Sequence, residues 1–303
     1  MRSLRLGRDQ NVKVTAALDM LIDLLDLEAI EMNIFRGRSP DEKRQRVFGG
    51  QVAGQALVAA GRTVGADRPV HSLHAYFLRP GDVSVPILYQ VDRIRDGKSF
   101  ATRRVVAIQH GHAIFNLSAS FHAAEDGFEH QIPMPAVPDP ETLPTFAERF
   151  ADQAAAMRDW YTRSRPIDSR YVNEPIRSRK VARGPRPPHQ EIWMRADGRL
   201  PDDQLLHACI VAYASDMSLL DSILLAHGTE WDDDNFMGAS LDHAMWFHRP
   251  FRADEWWLYD QESTSSFGAR GIARGEIYAR DGRLAVSVVQ EGLVRTIKRE
   301  AAR

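Results

Sequence analysis

Apolar and polar residues along this chain follow two recurring rhythms. Residues 15 to 28 place Leu18, Leu21, Ile22 and Leu25 on one helical face and Asp19, Asp23 and Asp26 on the opposite one, which predicts a helix packed through its apolar stripe. The run Gly49 to Val64 (GGQVAGQALVAAGRTV) is small and apolar on nearly every side, as suits a helix buried all round. Strand-like runs follow at His71 to Leu78, Val85 to Ile94, Phe100 to Gln109 and Ala113 to His122, with hairpin turns at Asp96-Gly97 and His110-Gly111. The predicted unit is one long helix followed by an antiparallel meander.

From Gln131 to about Pro188 the chain turns Pro-rich and charged, with MPAVPDPETLP near one end and RGPRPP at the other. Within it, Phe146 to Tyr161 reads as helical and Ile167 to Val172 as extended. The second half then repeats the first. Residues 206 to 228 predict another apolar helix, and strands are expected at Ala239 to Phe247, Glu255 to Glu262, Ala269 to Tyr278 and Leu284 to Val294. An offset of 170 residues aligns Arg79-Pro80 with Arg249-Pro250, Tyr89 with Tyr259 and Arg104 with Arg274; one extra residue then aligns Gly111 with Gly282. Identities that keep step with a repeated element order indicate duplication. The expected fold is α+β, two tandem helix-wrapped antiparallel sheets, with one unit over 1–130, a linker over 131–188 and a second unit over 189–303.

Composition narrows the function classes. The 303 residues are 44% hydrophobic and 26% charged, with a formal charge of −2, so a disordered chain is excluded and no basic stripe is available to hold nucleic acid. Cys209 is the single cysteine, which rules out a disulfide within the chain and fits a reducing cytosol. No run approaches the roughly 20 apolar residues of a membrane span. The N-terminal MRSLRLGRDQ reads as a short exposed arm without the apolar stretch of a secretory signal, and KREAAR at the other end is not a peroxisomal address. The expected location is cytoplasmic.

Asp216 is the residue whose position asks for chemistry. Its helical face-mates are Ala212, Tyr213, Leu219, Leu220 and Ile223, so a carboxylate interrupts an apolar stripe. Burying it unpaired costs several kcal/mol and raises its pKa. Spacing alone leaves two readings open: a functional acid, or a shorter helix beginning here with Ser215 or Asp216 as its N-cap. Gln290 shares a strand face with Val286 and Val288, yet an amide near a strand end ordinarily reaches solvent. Ser240 is a strand serine with no nucleophile elbow around it. The adjacent Asp242 and His243 look like a base and its orienter, but neighbours on a strand face opposite ways. His243 and most of the other histidines read as packing or interface residues. His71 remains a secondary candidate near a substrate. There is no H-E-x-x-H and no carboxylate cluster at ligand spacing, and Asp232-Asp233-Asp234 lacks the rest of a calcium loop, so no metal is expected.

Six stretches, VFGGQVAGQAL (Val47 to Leu57), HSLHAYFLRPGD (His71 to Asp82), RDGKSFATRRV (Arg95 to Val105), AYASDMSLL (Ala212 to Leu220), DHAMWFHRPF (Asp242 to Phe251) and VVQEGLVR (Val288 to Arg295), resemble the type II acyl-CoA thioesterases. That family is built as a double hotdog, two hotdog folds in one chain. The resemblance implies hydrolysis of fatty acyl-CoA to free acid and CoA without metal, cofactor or covalent intermediate. It implies a site in which Asp216, Ser240 and Gln290 jointly hold a water; many bacterial members carry Thr at the position of Ser240. Gly49 and Gly50 would expose backbone N–H groups at a helix start to a carbonyl oxygen or CoA phosphate. A homodimer or homotetramer is implied as well. In the first copy Val70 matches Ser240, and Ala119 or Ser120 matches Gln290, so one site per chain is expected. Two other classes share the ligand. A double-hotdog enoyl-CoA hydratase would carry D-x-N-P-x-H, whereas Asp216 is followed by MSLLDS; a non-catalytic acyl-CoA binder would not need the acid, hydroxyl and amide together.

Overall fold

The periodicities above resolve into two sheet-and-helix units in the computed structural model, which describes residues 15–40, 46–151, 153, 164–178, 184–231, 233 and 235–297. The first unit comprises α1 (Ala16–Leu25), β1 (Glu28–Glu31), β2 (Ile34–Gly37), α2 (Gly49–Gly61), β3 (Val70–Phe77), β4 (Ile87–Asp96), β5 (Phe100–Gln109) and β6 (His112–His122). A short helix α3 (Phe146–Arg149) and the strand β7 (Ile167–Tyr171) follow. The second unit continues with β8 (His189–Ala196), α4 (Gln204–Ser215), α5 (Asp221–His227), β9 (Phe236–Ser240), β10 (Asp242–Phe247), β11 (Trp257–Phe267), β12 (Arg270–Ala279) and β13 (Leu284–Thr296). The N-terminal arm, residues 154–161 of the predicted linker helix, and Asp232 and Asp234 lie outside the described residues.

The strands form one antiparallel sheet in the order β1-β2-β4-β5-β6-β3-β10-β13-β12-β11-β8-β7, with β9 pairing beside β10 on β13. Its two halves meet where β3 pairs with β10, Leu73 opposite Met245 and Ala75 opposite His243. The duplication is visible in this order. Strands β4 and β11 begin at residues 87 and 257, and β5 and β12 at 100 and 270, both 170 apart. Helices α2 and α4 begin at 49 and 204, only 155 apart. The second copy therefore has extra chain between its helix and its central strand, and that chain is the turn after Ser215, helix α5 and the start of β9.

Each sheet half curls around its own helix. In α2 every residue from Gly50 to Ala60 is buried, as the apolar run predicted, and a fully buried side chain such as Leu57 contributes about 1.5–3 kcal/mol. Helices α2 and α4 lie against each other in opposite directions, and α2 faces its partner with glycine. A Cβ on Gly50 would sit 2.3 Å from the Tyr213 carbonyl oxygen, one on Gly54 3.2 Å from the Cys209 carbonyl oxygen, and one on Gly61 2.4 Å from Leu205. This close contact brings the start of α2 to the end of α4.

Two departures from the sequence reading matter for the site. The predicted helix over 206–228 is broken: α4 ends at Ser215, Asp216 is its C-cap, and the next residues form a turn before α5. The predicted strand over 239–247 is also two strands, β9 and β10, parting at Leu241. Strands β1, β2 and β8 were not predicted. No helix among the described residues is long and apolar enough to cross a membrane.

Candidate active site

The break after Ser215 has a local cause. Ser215, Asp216 and Ser218 bond readily to nearby backbone and weaken a helix interior. The turn closes with i→i+3 bonds, Met217 N–H to the Ala214 carbonyl at 3.0 Å and Asp221 N–H to the Ser218 carbonyl at 3.0 Å. Two buried glutamines hold it from the sheet. Gln190 on β8 donates to the Ser218 carbonyl at 2.8 Å, and Gln261 on β11 donates to the Ser218 hydroxyl at 3.0 Å. Sequence reading did not single out either one; their signal is an amide at an inward strand position.

The carboxylate of Asp216, at the end of α4, meets the start of α2. An acid at a helix C-terminus is disfavoured by the helix dipole, whereas one at a helix N-terminus is favoured, and Asp216 occupies both places. The Gly50 backbone N–H bonds its carboxylate, and a Cβ on Gly49 would lie 2.6 Å from Asp216 Oδ2 and 2.9 Å from the Phe77 ring. Glycine at both positions lets carboxylate and helix start approach.

Gln290 on β13 donates from Nε2 to Asp216 Oδ1 at 2.6 Å, and Ser240 Oγ at the end of β9 lies 3.4 Å from the same oxygen. Asp216, Ser240 and Gln290, far apart in sequence, are thus brought together. Gln290 is fully buried while Asp216 and Ser240 are partly so. Burial pushes the Asp216 carboxyl up to about 6, against the pull of the Gln290, Gly50 and Ser240 hydrogen bonds. A base poised near neutrality in a sheltered, donor-rich place can take a proton from a bound water.

The kink between β9 and β10 aims Ser240 and Gln290. Leu241 N–H bonds the Glu291 carbonyl at 2.9 Å, and the Asp242 carboxylate accepts the Glu291 N–H at 2.6 Å. Asp242 thus clamps the strand beside Gln290 and, as alternation requires, does not orient His243. His243 points inward, fully buried, with Nε2 2.9 Å from Ser215 Oγ; burial pulls its imidazole down to about 4.

His71 is not brought to this group. It packs edge-on to Phe100 and His122, with ring centroids 5.7 and 6.1 Å away. Its place on β3 is six residues from Phe77, a strand distance of about 20 Å. The residues that follow Asp216, Met217 and Ser218, help to line a cavity of about 240 Å³ together with Phe48, Tyr213, Phe146 and Ile176 and the charged Arg165, Arg177 and Asp221. On the outer face of the sheet, ligand-type atoms of His189, Glu191 and Asp260 come within 4.8 Å of one another. All three already have protein partners: His189 Nε2 lies 2.6 Å from Asp260 Oδ1, and Glu191 accepts from Asn173 at 3.3 Å.

Comparison with known proteins places the whole chain. Residues 162–293 match the family described as acyl-CoA thioesterase, and residues 39–122 match the acyl-CoA thioesterase N-terminal domain. The chain is 43% identical to mouse acyl-coenzyme A thioesterase 8, an alignment covering 91% of this chain and 89% of the relative. It is 40% identical to acyl-CoA thioesterase 2 of Haemophilus influenzae, covering 92% and 98%. The crystal structure of an acyl-CoA thioesterase II, TesB2, from Mycobacterium marinum superposes with a TM-score of 0.75 at 45% identity, covering 91% of this chain and 98% of that one. With two joined helix-wrapped sheets and these matches along most of its length, the chain belongs to the acyl-CoA thioesterase family.

Proposed function

We propose that this thioesterase hydrolyses fatty acyl-CoA to free fatty acid and CoA with a water activated by Asp216. The observation that carries the reading is the Asp216 carboxylate, half sheltered from solvent and held at 2.6 Å by the Gln290 amide beside the Ser240 hydroxyl. The water oxygen attacks the thioester carbon as its proton passes to Asp216. The oxyanion is met by N–H groups at the start of α2, where the first turn has no intrahelical acceptors. Collapse expels the CoA thiolate, which takes up the proton held on Asp216 and so restores the carboxylate; a thiolate leaves readily enough to ask little of an acid. Gln290 has a second N–H with which to hold the water, and Ser240 supplies a further polar contact. Gly49 and Gly50 act by letting α2 reach the carboxylate, and the cavity beside Met217 receives the acyl chain.

We read the chain as one catalytic hotdog over 189–303, a scaffold hotdog over 1–130 and a connecting segment over 131–188 that walls the cavity. His71 would serve substrate only away from the hydrolytic group. The buried lone cysteine supports a reducing, cytoplasmic location. Exposed Tyr76, Leu88 and Ile272 on the sheet support association into a homodimer or homotetramer.

Incubation with palmitoyl-CoA and a thiol reagent tests the activity: free CoA is released in step with palmitate. A change in enoyl absorbance without thiol release would point to a hydratase instead, and neither signal to a binder.

A further inference from the structure

The two copies of the fold differ in what stands behind the amide of the proposed site. The helix offset of 155 sets Ala60 against Ser215, the central-strand offset of 170 sets Leu73 against His243, and the last strands, in step at Gly111 and Gly282, set Ala119 against Gln290. In the first copy Leu73 and Ala119 are opposite one another on β3 and β6, both buried. In the second, Ala244 is opposite Val289; one further step places His243 opposite Gln290, on one face of paired strands and with Cβ atoms about 4.5–5.5 Å apart. An apolar group of Ala, Leu and Ala is therefore replaced by Ser, His and Gln, every one of them buried.

The amide of Gln290 decides how these polar atoms pair. Gln290 Nε2 donates to Asp216 Oδ1 at 2.6 Å; a flipped amide would set its oxygen against the carboxylate. The amide oxygen Oε1 must then face away from Asp216. Neither Gln290 Oε1 nor His243 Nδ1 has a hydrogen-bond partner, and both are buried. At its other nitrogen the ring meets the Ser215 hydroxyl at 2.9 Å, and the one hydrogen of that hydroxyl also has the Ala212 carbonyl within reach at 3.1 Å. A small rotation of ring or amide pairs the two orphaned atoms, as buried polar groups require.

We propose that His243 is a positioning residue for hydrolysis: a neutral imidazole protonated at Nδ1 accepts from the Ser215 hydroxyl and donates to Gln290 Oε1. The amide is thereby locked with its N–H₂ turned to Asp216 and to the water. Ser215 adjoins Asp216 in the chain, so the same relay ties the carboxylate's own turn to the strand that carries its amide. The proposal rests on the reading of Asp216 and Gln290 as the water-activating pair.

Two substitutions and one measurement on the unaltered protein test it. His243→Phe keeps a ring but removes the donor. It lowers kcat about 10- to 100-fold, as for a catalytic group displaced by a fraction of an ångström to an ångström, and leaves KM within about threefold. It also moves the acidic limb of the kcat profile to higher pH, because Asp216 loses a firmly held donor. His243→Asn places an N–H near the position of Nδ1 and restores most of kcat. Equal losses in the two variants with an unmoved acidic limb, or full activity in His243→Phe, would overturn the proposal. Should both variants fail to fold, nitrogen-15 spectra of histidine in the wild-type protein decide: a neutral His243 with its proton on Nδ1 at pH 7 is expected, and a proton on Nε2 overturns the proposal. The spectra do not depend on catalysis. Full activity in Asp216→Asn would sink the reading of the site while leaving the tautomer to be judged separately.

Discussion

At the scale of single residues, Asp216 combines an energetic burden with the chemical use proposed for it. Its carboxyl titrates near 6 in the folded protein, against 3.8 for the ordinary group. Between those values the native state binds more proton than the unfolded one, so stability from this group is full below about 3.8 and declines as pH rises to about 6. Asp216→Asn removes that burden and is expected to raise stability at pH 7 by about 1–3 kcal/mol, read as a higher melting temperature, with the gain vanishing toward pH 4. In the proposed mechanism the same change also removes the base. Ser240, at 3.4 Å, holds the carboxylate more loosely than Gln290 does. Ser240→Ala should therefore lower kcat less than Gln290→Ala, by about threefold to tenfold against about 100-fold, on the usual scale for single polar groups aimed at a reacting centre. Steady-state thiol release on the two variants checks the order. Gly49→Ala forces a Cβ to within 2.6 Å of Asp216 Oδ2, so the carboxylate must swing aside; a loss of kcat with a near-normal melting temperature is the expected outcome.

At the scale of elements, the site depends on how closely α2 and α4 lie. The Cβ of Gly50→Ala would meet a backbone carbonyl of Tyr213, which cannot move alone, whereas that of Gly61→Ala would meet only the tip of Leu205. Gly50→Ala should cost about 1–3 kcal/mol and Gly61→Ala clearly less, as urea unfolding midpoints will show. The amphipathic α1, the buried α2 and the meander β3 to β6 were legible in the sequence because each has a single rhythm and a turn that needs special backbone. His110 and Gly111 indeed have φ of 49° and 76°. Strand β1 was not legible, since all four of its residues are exposed and only pairing with β2 makes it a strand. Strand β8 was missed because it buries Gln190, a residue that ordinarily marks the solvent face. A break at Asp216 is open in the sequence only as a helix start with Ser215 or Asp216 as N-cap, whereas Asp216 caps a helix end; the apolar spacing continues through it, and the groups that hold the turn, Gln190 and Gln261, come from distant strands. Asp216 itself could be picked out as an acid in an apolar stripe. Ser240 and Gln290 stand out only through family resemblance, and alternation along β10 parts His243 from Asp242 without revealing that Gln290 lies across the strand.

At the scale of the whole molecule, neither copy makes the site alone. Asp216, Ser240 and Gln290 come from the second, and the helix start that bonds Asp216 comes from the first. The pairing of β3 with β10 runs through the middle of one continuous sheet, so the two halves should unfold together. All six tryptophans lie beyond residue 159 and report on the second half and its connecting segment, while far-ultraviolet circular dichroism reports on both. Coincident denaturant transitions by the two probes are expected; an early fluorescence transition would show that the second half opens by itself.

The central claim is that an Asp216 carboxylate with pKa near 6 is the base that activates water. Its most direct test is kcat for palmitoyl-CoA hydrolysis against pH in wild type and Asp216→Asn. Wild-type activity should fall about tenfold per pH unit on the acid side of about 6, where protonation removes the base. Asp216→Asn should lose about 100-fold or more at pH 8 and show no acidic limb. A variant as active as wild type, or one that keeps the same acidic limb, would contradict the account.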